Sequence, residues 1–557
     1  MPARPLRIPF TLLLVMLAAG AMATVYIATP VGVGLANDSV AYIAGARSIL
    51  QGTGYSDIWL DSSLEAITHY PPLLSLSLAG IGLFGIDPLR GARILNIFLF
   101  GTNTLLIGIL GWRSTRSQIA GLWLAALFML NASLIRIHVF ALSEPLYLCL
   151  SLLTFLCADL SQASRSAGIT PPMDISSEPI ETKQKMLWLV LSGLTAGLAF
   201  LTRYSALALL PTIGLALFLR EATFRRKSWR EQLKTSGLFL AGALPPMFVW
   251  FLRNKLVAGN VTNRTFQYHP ITSENIQPGF YNFSQFLIPF QELSWRQGLL
   301  KSGLLEFGLI LLGLALLIWL VIRSWQMLFQ PQKDQPQIIT LTTILYTFGY
   351  LGAVLFSMSF FDASTKFQPR ILAPIYVTGM LLFITSAAWL WRLPYTKQPG
   401  VLHEKLDISR SGARSSLARQ GFVILLALVT LTVSAFGANR LVTEFQTAGQ
   451  GYASWKWHDS LVMASLRNLA PEIAIYTNTP PALYLVSGRA SRVIPSKLDP
   501  VDQQLRSYYE QNVARMRADL TRGRAVLALF DTASIEDAHG TNDFDKFISG
   551  LDLLQKT

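Results

Sequence analysis

Cysteine is scarce in this sequence. Only Cys149 and Cys157 occur among 557 residues, and both lie in one apolar run. Eight residues of helix separate two positions by about 12 Å, whereas the Cα atoms of a disulfide lie within about 7 Å of each other. A disulfide within the chain is therefore excluded, and we expect two buried, unreactive thiols.

Charged residues are also few. They make up 14% of the chain, against 52% hydrophobic residues, whereas soluble domains carry about 25% charged residues. This composition predicts a multi-pass membrane protein. The net charge of +14 could suggest nucleic-acid binding, but the basic residues stand in short clusters between apolar runs, as in the cytoplasmic loops of membrane proteins. We therefore expect no nucleic-acid partner.

Several common motifs are missing from the sequence. No P-loop, glycine-rich dinucleotide turn, CxxC pair or GxSxG element occurs in a fitting context. Their absence argues against a nucleotide-driven pump and against a serine hydrolase. No internal repeat is visible either. Secondary transporters are commonly built from repeats, with ionisable groups at mid-membrane, so the sequence disfavours transport.

Long apolar runs are what the sequence has instead. Eleven of them predict membrane-spanning helices, although several are shorter than the ~20 residues of a straight span. A further run, residues 73–86, is only about 14 residues long, which suits a segment on the membrane surface. With eleven spans and residues 73–86 on the outer surface, every basic cluster falls on the side of the N-terminus, which predicts a cytoplasmic N-terminus. No convincing cleavage site follows the first span, and further spans come after it, so we expect an uncleaved first helix. The predicted spans are residues 8–27, 94–112, 119–137, 145–158, 186–201, 206–219, 238–251, 304–322, 338–358, 371–391 and 421–436.

The runs divide the chain into two predicted domains. Residues 1–437 form an all-α membrane domain, and its first extracytoplasmic loop, residues 30–93, contains short juxtamembrane helices. Residues 438–557 are less apolar and predict a small extracytoplasmic α/β domain. Its predicted strands are 473–477, 491–494 and 525–530, and its predicted helices are 481–487, capped by Asn478, and 502–520.

Two acids stand at the predicted ends of membrane or juxtamembrane helices. Asn37 can cap an amphipathic helix on the membrane face, which places Asp38 in its first turn. Glu144 lies at the corner between two spans. A carboxylate at a membrane boundary is costly unless it is paired or functional, so both acids are candidate catalytic residues. The alternative for each is a structural role, the stabilisation of a helix N-terminus.

Basic residues on the predicted outer side form a second set of candidates. Such cations oppose the positive-inside bias and suit an anionic ligand, since guanidinium groups bind phosphate oxygens well. The alternative is that these residues contact lipid headgroups. This alternative is least favoured for Arg203 and Arg370, because apolar helix flanks both. The predicted substrate-binding residues are Arg203, Arg253, Lys366, Arg370, Tyr42 and Tyr70.

His69 and Glu65 are the candidate metal ligands. They stand four positions apart, a spacing that brings two side chains to one face of a helix. A divalent metal ion is therefore the one cofactor that the sequence suggests. The alternative for His69 is a hydrogen bond at the membrane interface.

An ordered set of segments resembles a known family. The segments are NDSVAYIAGARSILQGTGY, YPPLLSLSLAGIGLFG, LRGARILNIFLFG, ALSEPLYLCL, GLTAGLAFLTRYSALALLP, WFLRNKLVAG and PRILAPIY. Together they resemble the GT-C integral membrane glycosyltransferases, in the branch of the protein O-mannosyltransferases and the lipid A aminoarabinose transferases. The resemblance covers roughly residues 1–390 and implies a GT-C fold.

The resemblance also implies a reaction. A sugar would pass from a polyprenyl-phosphate donor to an acceptor hydroxyl at the extracytoplasmic face of the plasma (inner) membrane. Asp38 would be the catalytic base and Glu144 would position the acceptor or a metal, while Arg203 and Arg370 would hold the donor phosphate. A flippase or exporter of lipid-linked sugars and a ligase or polymerase of whole glycans remain the alternatives, and the acceptor is open.

Overall fold

The computed structural model describes residues 9–57, 65–162, 178–224, 228–259, 261, 266–290, 294–304, 338–392, 407–497 and 505–530, and single positions between 307 and 322. These residues form a mainly helical bundle and two small sheets. The predicted fold class, a helical membrane protein with a small α/β unit at its C-terminal end, is confirmed.

Most of the described chain is helical. The helices through the first half are α1 (Phe10–Ala28), α2 (Asn37–Leu50), α3 (Leu73–Gly82), α4 (Pro88–Thr115), α5 (Gln118–Leu130), α6 (Ala132–His138), α7 (Glu144–Gln162), α8 (Glu178–Phe200), α9 (Leu209–Phe224) and α10 (Trp229–Ala258). The remaining helices are α11 (Ser273–Leu287), α12 (Ser294–Lys301), α13 (Ile338–Phe360), α14 (Pro369–Arg392), α15 (Asp407–Ala448), α16 (Trp455–His458), α17 (Leu461–Arg467), α18 (Pro480–Ser487) and α19 (Tyr509–Thr521). The strands are β1 (Ser56–Asp57), β2 (Glu65–Ala66), β3 (Ala474–Thr477), β4 (Arg492–Val493) and β5 (Ala525–Ala528).

Seven helices in the described part are long and apolar enough to cross a bilayer. They are α1, α4, α7, α10, α13, α14 and the Leu417–Ala448 part of α15. Helices α5 and α6 meet at 63° and together make an eighth candidate. The predicted number of eleven spans stays a prediction, because the run 304–322 lies largely outside the described residues.

Two predicted spans differ locally from a straight helix. The run 119–137 breaks at Asn131, whose backbone is extended and whose side chain accepts the Leu134 N–H at 3.1 Å and donates to the Phe286 carbonyl at 3.2 Å. The run 206–219 begins as a 3₁₀ helix, Tyr204–Ala208, before α9. Hydropathy does not reveal such breaks, because the residues on both sides remain apolar.

Small residues bring α8 and α10 into backbone contact. A Cβ on Gly193 would stand 1.9 Å from the Phe239 carbonyl oxygen, and one on Gly242 would stand 2.2 Å from that of Val190. Close approach at small residues is the usual basis of helix packing in membranes. This pair of helices fixes the backbone on which Arg203 and Arg253 stand.

The apolar run 73–86, which we predict to lie on the membrane surface, forms helix α3. It has ten residues and is about 15 Å long, half of the ~30 Å hydrocarbon core. Its buried residues Leu74 and Leu78 pack in one cluster with Tyr42 and Ile43 of α2. Helix α2 is therefore buried against other elements along most of its length, and its place at the membrane face stays a prediction.

We call the described residues after α15, 449–497 and 505–530, the C-terminal unit. It contains a three-stranded parallel sheet in the order β4-β3-β5. All three predicted strands are present and are shorter than predicted. The prediction that Asn478 caps the following helix is wrong, because its side chain instead accepts the Phe530 N–H at 3.0 Å and donates to the Phe530 carbonyl. Helix α15 continues past position 437 to Ala448, so the division into domains stays a prediction.

Candidate active site

Asp38 stands in the first turn of α2, as the sequence predicts. Asn37 is the first residue of the helix rather than its cap. The residue before the helix is Ala36, whose N–H donates to the Ser39 hydroxyl at 2.9 Å. This local bond satisfies a backbone donor of the chain entering the helix.

Both carboxylate oxygens of Asp38 have partners. Arg370, in the first turn of α14, forms an ion pair with Oδ2, and the Tyr70 hydroxyl donates to Oδ1 at 3.0 Å. The two charged side chains are only 22% and 30% exposed. Burial raises the pKa of Asp38, but the charge of Arg370 and the hydrogen bonds from Arg370 and Tyr70 outweigh it, so the pKa lies below its ordinary value. Asp38 is therefore a charged carboxylate at neutral pH.

Glu144 forms the second ion pair of the site. It begins α7 and is 1% exposed, and its Oε1 accepts from Nη1 of Arg203. Arg203 follows α8 at the turn before the 3₁₀ helix. The other carboxylate oxygen, Oε2, is buried and has no hydrogen-bond partner within the described part of the chain. A buried carboxylate oxygen in this position is ready to accept a hydrogen bond from a bound group.

Ser143 connects the two ion pairs. Its hydroxyl oxygen accepts from the Tyr42 hydroxyl at 3.1 Å and from Nη1 of Arg203 at 3.3 Å. The Tyr42 ring stands edge-on to the Tyr70 ring, with 5.4 Å between centroids, and Tyr70 in turn holds Asp38. Sequence reasoning missed Ser143, and its only signal was its place beside Glu144.

The backbones that carry the two acids are joined directly. Gly34 and Phe140 form a parallel bridge, in which the Gly34 N–H donates to the Val139 carbonyl at 2.7 Å and the Ala141 N–H donates to the Gly34 carbonyl at 2.9 Å. The bridge lies a few residues before Asp38 in one segment of the chain and a few residues before Glu144 in the other. The bridge thus holds side by side the two backbone segments that lead to Asp38 and Glu144.

Arg253 and Lys366 lie outside this network of contacts. The Arg253 guanidinium donates to the Ile67 carbonyl at 2.6 Å and to the Tyr55 carbonyl at 3.0 Å, across the β1-β2 pair. Lys366 pairs with Glu274 at 3.6 Å, and both side chains are exposed. Their substrate-binding roles stay predictions.

The predicted metal ligands are not both described. The His69 ring lies beside the Tyr70 ring, at 4.4 Å between centroids. Glu65 belongs to β2, but its side chain lies outside the described residues. Among the side chains that the structure describes, no three His, Cys, Asp or Glu residues are grouped to bind a metal ion. The described residues therefore do not form a complete site, and metal binding stays a prediction.

Comparison with known proteins identifies the fold of this chain. Residues 63–256 match the family model of dolichyl-phosphate-mannose-protein mannosyltransferases. The crystal structure of ArnT from Cupriavidus metallidurans in the apo state is similar over 95% of this chain and 94% of that chain, with a TM-score of 0.53 and 14% identity. This chain has the GT-C fold. The resemblance to GT-C glycosyltransferases that the sequence predicts is thereby confirmed.

Other GT-C structures support the same fold. ArnT from Cupriavidus metallidurans bound to undecaprenyl phosphate matches over 94% of this chain and 90% of that chain, with a TM-score of 0.50 and 14% identity. The Archaeoglobus fulgidus oligosaccharyltransferase in the apo form matches over 88% of this chain and 64% of that chain, with a TM-score of 0.52 and 13% identity. A search of curated protein sequences found no match. The family model covers residues 63–256, and the solved structures share their fold with most of this chain.

Proposed function

We propose that this GT-C protein transfers a sugar from a polyprenyl-phosphate donor to an acceptor hydroxyl, with Asp38 as the general base. The observation that carries the proposal is the ion pair of Asp38 with Arg370 beside that of Glu144 with Arg203. A charged base and two guanidinium groups in one partly buried network match the needs of this reaction. The base must accept a proton while the departing phosphate gains negative charge.

Asp38 supplies the proton acceptor. Its carboxylate takes the proton of the acceptor hydroxyl as the oxygen attacks the anomeric carbon of the sugar. The bond between that carbon and the phosphate oxygen breaks, and the polyprenyl phosphate leaves with the bonding electron pair. A general base must lie within ~2.6–3.2 Å of the hydroxyl oxygen, so an acceptor approaches on the 22% of the Asp38 side chain that remains exposed.

Arg370 and Arg203 stabilise the phosphate. Guanidinium groups make charge-assisted hydrogen bonds to phosphate oxygens, and these bonds are strong where water is partly excluded. Arg370 is the more exposed of the two, at 30% against 20%, and we assign it the direct contact. Arg203 would act from deeper in the site, and Glu144 would orient the acceptor through its unpaired Oε2.

The remaining predicted residues have supporting roles in this proposal. Tyr70 holds the Asp38 carboxylate and Tyr42 holds Ser143. Arg253 fixes the β1-β2 segment through its carbonyl contacts, and Lys366 would contact substrate farther from the reacting atoms. A metal ion bound at His69 and Glu65 would add positive charge near the phosphate.

We place the reaction at the extracytoplasmic face of the plasma membrane, with a hexosyl or pentosyl donor. Basic clusters between the spans support this sidedness by the positive-inside rule. Transfer of a whole glycan is a second candidate, since the Archaeoglobus fulgidus oligosaccharyltransferase has a similar fold. A flippase or exporter has no such observation in its favour.

The test is turnover by the purified protein in lipid nanodiscs. Polyprenyl phosphates carrying single sugars and longer glycans are each supplied with a mixture of hydroxyl acceptors, and the released polyprenyl phosphate is quantified by mass spectrometry. Release from a single-sugar donor is the expected result. Release only from glycan donors would select the second candidate. Movement of donor across a proteoliposome membrane without release would show transport and overturn the proposal.

A further inference from the structure

The segment that follows α15 is hydrogen-bonded to the strand that leads into α2. Leu35 forms a parallel bridge with Gly451, in which the Tyr452 N–H donates to the Leu35 carbonyl at 2.9 Å and the Leu35 N–H donates to the Gln450 carbonyl at 3.4 Å. Gly451 has φ +57°, and a Cβ on it would stand 2.0 Å from the Leu35 carbonyl oxygen. Only glycine permits this approach. The chain entering the C-terminal unit is therefore attached three residues before Asp38.

Tyr452 adds a side-chain contact at the start of α2. Its hydroxyl donates to Oδ1 of Asn37, the residue next to Asp38. The Tyr452 ring is itself held, because its backbone is bonded to Leu35 and it makes a T-shaped contact with the Trp457 ring, with 5.3 Å between centroids. Because Tyr452 is held and its hydroxyl is bonded to Asn37, the backbone from which the Asp38 side chain projects is restricted.

The C-terminal unit also contacts α2 farther along. Tyr484 of α18 packs against Val40 and Ala44, and its hydroxyl accepts from Nη1 of Arg47 at 3.2 Å. Arg47 is tied in addition to Asp87, at 3.0 Å between Nη2 and Oδ1. Two separate parts of the C-terminal unit thus hold the helix that carries Asp38, one at its beginning and one in its last turns.

We propose that Tyr452 is a positioning residue for Asp38, and that the C-terminal unit sets the position of this carboxylate by holding α2 at both places. The inference rests on the proposed function, in which Asp38 is the base. A displacement of ~1 Å between reacting groups can lower a rate about a hundredfold, so an element that fixes α2 acts on the chemical step. Tyr452 itself contacts Asn37 and does not take part in the chemistry.

Tyr452→Phe tests the proposal, because it removes one hydroxyl and keeps the ring. We expect kcat to fall roughly fivefold to tenfold, the loss of about one net hydrogen bond, with the donor KM unchanged. The matched control is Tyr476→Phe in the same unit, where the hydroxyl donates to Asp519 at 3.0 Å and lies on β3, away from α2. This control should leave kcat and the donor KM unchanged.

A double-mutant cycle separates positioning from general destabilisation. If Tyr452 acts through Asn37, Asn37→Ala lowers kcat by the same factor, and Tyr452→Phe adds no further loss to it. Multiplied losses in the double variant would overturn the proposal. Equal losses of kcat in Tyr452→Phe and Tyr476→Phe would overturn it as well, since they would reflect the stability of the whole unit.

Hydrogen exchange gives a readout that does not depend on turnover. Tyr452→Phe should speed the exchange of the first amides of α2, and Tyr476→Phe should not. Unchanged exchange in α2 would overturn the positioning role. The two proposals can fail separately. If the wild-type protein releases no polyprenyl phosphate, the proposed function is rejected, and faster exchange in Tyr452→Phe would still support the contact with α2.

Discussion

Asp38 and Arg370 form an ion pair although 332 positions separate them in the chain. The pair joins the first turn of α2 to the first turn of α14, and Tyr70 completes it on the other carboxylate oxygen. The same guanidinium that neutralises the proposed base is the one that we propose binds the donor phosphate. Donor binding would therefore withdraw positive charge from Asp38 and make it a stronger base at the moment when a base is needed.

Asp38→Asn should abolish sugar transfer. The amide keeps the size of the side chain but cannot accept the acceptor proton, and a general base contributes about 10²–10⁴-fold to a rate. Polyprenyl-phosphate binding, measured by native mass spectrometry, should persist. The matched control is Asp159→Asn, which disrupts an ion pair with Arg113 at the opposite end of α7. Turnover by Asp38→Asn close to that of wild type would reject the base.

Arg370→Lys should raise the donor KM. Lysine keeps the charge but loses the planar pair of donors, and a hydrogen bond to a charged group contributes about 1.5–3 kcal/mol, so we expect an increase of roughly tenfold or more. Arg93→Lys is the control, since Arg93 donates to the Thr29 hydroxyl and the Tyr26 carbonyl. An unchanged donor KM in Arg370→Lys would remove Arg370 from the phosphate site.

Tyr70→Phe should move the acid limb of the pH profile to higher pH. The Tyr70 hydroxyl is among the groups that lower the pKa of Asp38, so its loss raises that pKa. Activity is lost as pH falls through the pKa of the base, and a raised pKa makes the loss begin at higher pH. The measurement is kcat/KM against pH. Tyr204→Phe, which removes a bond to the Thr68 carbonyl, should leave the limb in place.

Arg203→Met should destabilise the protein more than the double variant with Glu144→Gln. The single change leaves a carboxylate with 1% exposure unpaired, and breaking a buried ion pair from one side costs about 3–5 kcal/mol. The double change removes both charges. Thermal unfolding in detergent compares the two variants. A lower unfolding temperature in the double variant than in the single one would contradict the pairing.

Gly193→Ala should separate α8 from α10. The new Cβ would stand 1.9 Å from the Phe239 carbonyl oxygen, so the helices must move apart and lose packing. Gly237→Ala, in the partner helix α10, places a Cβ that meets no atom within 4 Å and should stabilise that helix by about 0.5–1 kcal/mol. The unfolding temperatures of the two variants should therefore shift in opposite directions.

The sequence predicted the elements of the fold better than their contacts. Apolar runs and turn residues are local signals, so they predicted most of the helices, the three strands of the C-terminal sheet and the place of Asp38 in a first turn. They could not predict the break at Asn131 or the contact of Asn478 with Phe530, because each depends on a partner distant in the chain.

Composition and residue order were enough to predict a membrane protein and to locate the charged residues near the ends of its predicted helices, because hydropathy and charge are read directly from the sequence. The contacts of the site are visible only in three dimensions: Asp38 pairs with Arg370, Glu144 pairs with Arg203, and Ser143 lies between the two pairs. An ion pair forms only when its charged atoms, which here lie on different elements, come within a few ångströms of each other. The packing of the elements that carry these side chains sets that distance.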